Sequence, residues 1–182
     1  KELQDARAAG RKVIGTFCLF VPEELILATD AISVGLCAGA EFGFEEAEKV
    51  LPPNTCSLIK SFFGFKMSKV CPYIEASDMV VGKTTCDGKK NAYEIVQDLQ
   101  PNLYVMELPQ MKSPQDRQLL KSEYLRFKEE LEKLTGVTID PQRLKRGSEL
   151  VNNKRKALHP LAALRSADPA PISGVDALLV NQ

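Results

Sequence analysis

Short apolar, β-branched runs alternate with amphipathic stretches from Lys12 to Leu108, and this alternation limits the available folds more than any other feature of the chain. Lys12 to Cys18 reads as a largely buried strand. Pro22, with Glu23 and Glu24 in the following turn, opens a helix that continues through Ile32 and is closed by Gly35. A short strand from Leu36 to Ala40 should carry Cys37, and Phe44 to Val50 forms an acidic helical segment broken by Pro52 and Pro53. Asn54-Thr55 can cap a helix over 57–65, with Cys56 in its first turn. Met79 to Gly82 then reads as a strand, Asn91 to Leu99 as a helix and Leu103 to Leu108 as a strand. The pattern predicts an α/β fold in three layers, a mainly parallel sheet with flanking helices of Rossmann-like type. Two long C-terminal helices should follow. Ser113-Pro114-Gln115-Asp116 opens the first, which Gly136 stops. Asp140-Pro141 opens the second, running to Leu164 with a kink or break at Pro160. Residues 1–168 are expected to form one α/β domain, and 169–182 a linker or the start of a second.

Charge narrows the function. The 24 lysines and arginines equal the 24 aspartates and glutamates, so the general basic excess of a nucleic-acid or membrane-surface binder is missing. No apolar run reaches the roughly 18 to 20 residues that span a bilayer. The first residues, Lys1-Glu2-Leu3-Gln4-Asp5, do not read as a signal peptide, and a cytoplasmic protein is expected.

The five cysteines are Cys18, Cys37, Cys56, Cys71 and Cys86. Their number is odd and no Cys-x-x-Cys occurs, which argues against a disulfide framework and against zinc-ribbon spacing. The gaps of 19, 19, 15 and 15 residues match the length of one strand-plus-helix unit. Such a rhythm brings cysteines to one sheet edge, as a loop-held iron–sulfur cluster requires. The Lys83-Thr84-Thr85-Cys86-Asp87-Gly88-Lys89-Lys90 stretch joins a strand to a helix, where α/β proteins place ligands. Positive charge and a helix N-terminus favour thiolate over thiol there, while a buried structural cysteine is the competing reading. The single histidine, His159, precedes Pro160 in a helix and is expected at the surface. Glu41 and Glu75 lie beside cysteine turns, and ordinary ion pairing is their expected use. No Walker A loop and no Gly-x-Gly-x-x-Gly occurs, and no catalytic residue is assigned.

Six segments stand out: Gly15-Thr-Phe-Cys-Leu-Phe-Val-Pro-Glu-Glu-Leu25, Gly35-Leu-Cys-Ala-Gly-Ala-Glu-Phe-Gly43, Leu51-Pro-Pro-Asn-Thr-Cys-Ser-Leu-Ile-Lys60, Val70-Cys-Pro-Tyr-Ile-Glu-Ala-Ser-Asp78, Gly82-Lys-Thr-Thr-Cys-Asp-Gly-Lys-Lys90 and Tyr104-Val-Met-Glu-Leu-Pro109. Together they resemble the 2-hydroxyacyl-CoA dehydratase and benzoyl-CoA reductase superfamily, most closely its double-cubane-cluster anaerobic reductase branch. The resemblance implies Cys56 and Cys86 as iron ligands first, with Cys37 and Cys71 as further ligands and Cys18 as none. It implies an iron–sulfur cluster, either 4Fe-4S or an 8Fe-9S double cubane. Pro53 and Lys83 stand where the family pattern carries an arginine and a glutamate.

The function so implied is that of an ATP-dependent anaerobic reductase. It takes low-potential electrons from an ATP-hydrolysing iron–sulfur activator and passes them to a small substrate. The alternatives are a 2-hydroxyacyl-CoA dehydratase subunit and a cluster-free binding module. Family members carry two similar α/β domains, so the resemblance implies a missing C-terminal domain or a second subunit, in a homo- or heterodimer.

Overall fold

The computed structural model describes residues 2–17, 20–36 and 39–181. Its elements are α1 (Glu2–Ala8), β1 (Val13–Thr16), α2 (Glu23–Ala28), β2 (Ile32–Gly35), α3 (Phe44–Ala47), α4 (Ser57–Met67) and α5 (Pro72–Ala76). They continue with β3 (Met79–Lys83), α6 (Asp87–Leu99), β4 (Leu103–Met106), α7 (Pro114–Thr135), α8 (Pro141–Leu164) and α9 (Gly174–Asn181). The strands form one parallel sheet in the order β2-β1-β3-β4. Parallel strands joined by helical crossovers must be covered on both faces, and both faces are covered here. Ile14, Met79, Val81, Tyr104 and Met106 meet Leu25 and Ile26 of α2 and Phe127 and Leu131 of α7. Val80 and Phe17 meet Ile59, Phe62 and Phe63 of α4 and Ala92, Tyr93 and Val96 of α6. The three-layer α/β architecture expected from the sequence is the one observed.

Several boundaries differ from those expected; α6, for one, begins at Asp87 and not at Asn91, so that Cys86 is its N-cap. The helix opened by Pro22 ends at Ala28, where Thr29 Oγ1 donates to the Ile26 carbonyl (2.8 Å) and Asp30 turns the chain with φ 60°. Ile32 and Val34 belong instead to β2, in register with Val13 and Gly15, so the strand is Ile32–Gly35 and begins four residues before the expected Leu36. Ile32 fits a helical spacing, but its β-branched side chain is equally suited to a strand, and pairing with β1 decides. Helix α8 runs through Pro160 without a break. Lys156, whose carbonyl loses its helical donor to the proline, is an exposed residue.

The long helices begin as their sequences direct. Ser113 Oγ accepts from the Asp116 N–H (3.1 Å) and the Asp116 carboxylate accepts from the Ser113 N–H (3.0 Å), a capping box with Pro114 at the first helical position. The Ser113 hydroxyl, and after it the Ser113 backbone N–H, hold the Asp116 carboxyl below its ordinary value. A depressed carboxyl contributes stability above its unfolded value and loses it as pH falls through its folded one. Ser113→Ala is therefore expected to cost about 1 kcal/mol in urea unfolding at neutral pH. The variant should also lose less stability than the parent protein as pH drops below 3.8.

Candidate functional site at the carboxyl edge of the sheet

With the order β2-β1-β3-β4, the chain leaves β1 in one direction to reach β2 and in the other to reach β3. This reversal opens a crevice at the carboxyl ends of β1 and β3, where open α/β sheets bind ligands. The ladder between these strands includes Phe17 N–H donating to the Val81 carbonyl (2.9 Å). The next β3 residue to face β1 is Lys83, beyond the end of β1 at Thr16. There the Tyr93 hydroxyl accepts from the Lys83 N–H and donates to the Lys83 carbonyl (2.6 Å), closing the ladder from α6. Gly82 makes room, since a Cβ there would stand 2.5 Å from the Tyr93 ring. The Lys83 side chain is fully buried on the opposite face of the sheet, its ammonium 4.3 Å from the centre of the Phe20 ring. Beyond it, Thr84 Oγ1 accepts from the Leu108 N–H (3.0 Å), fixing the loop that delivers Cys86.

Cys56 and Cys86 occupy equivalent places. Each is the N-cap of a helix, Cys56 of α4 and Cys86 of α6, each is exposed, and neither sulfur is spent on a capping hydrogen bond. The two helices pack together at these ends. Gly88, in the first turn of α6, sits so close to Ile59, in the first turn of α4, that an added Cβ would be 3.1 Å from Ile59 Cδ1. The turn before Cys56 is held from behind by the ammonium of Lys60, which donates to the Pro53 carbonyl (3.0 Å) and to Glu48 (2.8 Å). Buried Lys89 places its ammonium 4.7 Å from the centre of the Phe17 ring, which in turn stacks on Phe62 at 4.3 Å. Two thiols at neighbouring helix N-termini, beside a buried cation, can receive an electrophilic metal centre.

Cys71 lies elsewhere. It caps α5 just past the end of α4, where Val70 N–H donates to the Phe65 carbonyl. Helix α4 spans 11 residues between Cys56 and this turn, about 16 Å. Cys37, like Cys18, falls outside the described residues. The segment three residues on is tied to α4 by the Ala40 N–H, which donates to Ser61 Oγ (3.3 Å). Among the described residues, no three His, Cys, Asp or Glu side chains are grouped to hold a metal ion. Glu75 pairs with Lys66 (3.0 Å), the ordinary use expected of it. Glu41 and His159 are exposed. Sequence reasoning missed Tyr93 and Lys60, which act at this edge through contacts 10 and 7 residues away in the chain, and read Lys89 only as positive charge beside Cys86.

Residues 18–182 match the family model described as 2-hydroxyglutaryl-CoA dehydratase, D-component. The chain belongs to this family. It is 41% identical over 179 residues to dehydratase subunit YjiM of Escherichia coli (strain K12), covering 98% of this chain and 46% of that protein. It is 28% identical over 170 residues to the (R)-phenyllactyl-CoA dehydratase beta subunit of Clostridium sporogenes (90% and 44%). With a benzoyl-CoA reductase subunit of Thauera aromatica it shares 25% over 175 residues (93% and 44%). The 2-hydroxyglutaryl-CoA dehydratase family and these relatives bear out the superfamily resemblance carried by the cysteine segments. The chain spans less than half the length of these curated relatives. No helix among the described residues is long and apolar enough to cross a membrane.

Proposed function

We propose that this chain is the cluster-bearing part of a low-potential, one-electron enzyme of the 2-hydroxyacyl-CoA dehydratase superfamily, with Cys56 and Cys86 as its iron ligands. The carrying observation is the pair of free, exposed thiols at the touching N-termini of α4 and α6, beside the crevice between β1 and β3. The donor set fits part of an iron–sulfur site: thiolates are the ligands such clusters take, and two are present at this edge. The remaining ligands are assigned to Cys37, on the segment tied to α4 through Ser61, to Cys71, and to a further domain or subunit. A bound cluster, 4Fe-4S or 8Fe-9S, supplies single-electron transfer at low potential.

This chain's own residues position the two thiols. Tyr93 pins the end of β3, Thr84 sets the path to Cys86, and Lys60 fixes the turn before Cys56. The electrons would come from an ATP-hydrolysing iron–sulfur activator. The extra cysteines Cys37 and Cys71 favour a reductase; the family description and two of the relatives' names favour a dehydratase acting on an acyl-CoA. Exposed Val175, Leu178 and Leu179 of α9 support a further packing partner, a second α/β domain or another subunit. A cytoplasmic site of action accords with oxygen-sensitive cluster chemistry.

The test is iron and acid-labile sulfide per chain, with EPR, after anaerobic reconstitution of the parent protein and of Cys56→Ala, Cys86→Ala and Cys71→Ala. Loss of iron in the first two variants is the expected result, and Cys71→Ala decides whether the far end of α4 contributes a ligand. Full iron retention in both Cys56→Ala and Cys86→Ala overturns the assignment. Dehydration of an acyl-CoA by cluster-loaded protein with its activator would favour the dehydratase, and activator-dependent reduction without water loss the reductase.

A further inference from the structure

Helices α7 and α8 are joined by a short turn at 136–140, yet α8 packs along α2 and not along α7. Gly147 is the reason, because its missing side chain lets α8 rest on the backbone of α2 at Glu24. The two long helices therefore diverge, and the wedge between them is a cleft of about 710 Å³ on the side of the sheet away from Tyr93. Its floor is apolar, built from Phe20, Val21, Leu25, Leu120, Tyr124 and Leu144. Phe20 is 70% exposed and Leu125, at the mouth, 52%, apolar surface that a solvent-filled cleft would leave wet.

The rim has the opposite chemistry. Arg117, Lys121, Lys128 and Arg155 surround it against the single carboxylate of Glu24, although the chain as a whole is electrically neutral. Arg155 is matched by Glu24 (2.9 Å) and Lys128 by Glu132 (2.8 Å). Arg117 and Lys121, one turn apart on α7, engage in no ion pair among the described residues. Burial holds the Tyr124 phenol above its ordinary value, with Glu24 adding to the effect, so it stays a hydrogen-bond donor.

We propose that this cleft binds a small amphipathic organic anion, an apolar body carrying one carboxylate or phosphate that Arg117 and Lys121 receive. A wholly apolar occupant would desolvate the two cations without replacing their water, and a compact polyanion would leave the apolar floor unused. The volume lies in the range of small-ligand pockets, roughly 300 to 1,000 Å³. The site uses none of the cysteines, so it stands or falls independently of the iron–sulfur assignment.

The test is a ¹H–¹⁵N NMR titration of the full chain, without iron, with hexanoate, hexyl phosphate and hexan-1-ol. At least one anion is expected to saturate about tenfold more tightly than the alcohol. Its shift changes should gather on residues 20–25, 117–128 and 144, and its affinity should fall as salt rises. Preference between the anions identifies the headgroup as carboxylate or phosphate. The exposed double substitution Arg117→Gln/Lys121→Gln should weaken anion binding by about tenfold and leave hexan-1-ol binding unchanged. The proposal is overturned if the alcohol binds as well as both anions, if the shifts gather elsewhere, if neither anion saturates, or if the double variant binds them unchanged.

Discussion

Replacing Gly147 by alanine is expected to lower the unfolding free energy by about 2 kcal/mol, although the same change in an exposed helix would raise it by about 1 kcal/mol. The sign is set by the neighbour. An added Cβ would lie 2.2 Å from the Glu24 carbonyl oxygen and 3.1 Å from the Ala28 nitrogen, and neither backbone atom can swing aside as a side chain could. Helix α8 must retreat from α2, carrying with it the ion pairs of Arg143 with Asp30 (3.0 Å) and of Arg155 with Glu24 (2.9 Å). Those exposed pairs contribute little individually, so the loss is chiefly of helix packing. For a chain of this size, about 2 kcal/mol corresponds to a fall in Tm of roughly 4 to 8 °C by calorimetry. Gly35→Ala is the matched control, since a Cβ there meets nothing within 4 Å; its Tm should move little. Equal melting temperatures for the parent and Gly147→Ala proteins would refute the account of how α8 is seated.

The alternation of runs between Lys12 and Leu108 was enough to read the α/β layering, because parallel strands buried on both faces need continuous apolar sequence. Caps were equally legible: Ser113, Asp140 and Gly136 act through neighbours three or four residues away, and all three behave as their residue types dictate. Ile32 shows where local reading stops. Its spacing from Ala28 and Leu25 suits a helix, and pairing with Val13 across a crossover overrides it.

The candidate site divides along the same line. Cys56 could be placed at a helix start from Asn54-Thr55, and Cys86 in a strand-to-helix turn from the turn residues around it. Their nearness depends on Gly88 meeting Ile59, a contact 29 residues apart that no spacing rule reports. Lys83 illustrates the limit for charge. Read in sequence it adds a cation beside Cys86; in the fold its side chain turns to the other face of the sheet, under Phe20. The buried cation on the α6 side of the edge is Lys89, six positions later.

The hydroxyl of Tyr93 carries the second large effect. In a parallel ladder each strand's backbone groups alternate between its two neighbours, so Lys83 turns its N–H and carbonyl toward β1. Past the end of β1 at Thr16, the phenol accepts from the one and donates to the other. Removing one hydroxyl therefore takes a hydrogen bond from each of two buried backbone groups. Each lost hydrogen bond costs about 0.5 to 1.5 kcal/mol, which outweighs the small gain from burying a less polar ring. Tyr93→Phe is expected to lose about 1 to 3 kcal/mol in urea unfolding with an unchanged m-value. Its local signature should be sharper than its global one: the Lys83 amide, protected in the parent protein, should exchange with solvent far faster in the variant, while Val80 and Val81 change only with global stability. Because β3 leads through Thr84 into the turn bearing Cys86, the same variant should bind iron less tightly after reconstitution even where it remains folded. A Tyr93→Phe protein with parental stability and a still-protected Lys83 amide would mean that something other than this phenol closes the ladder at the crevice.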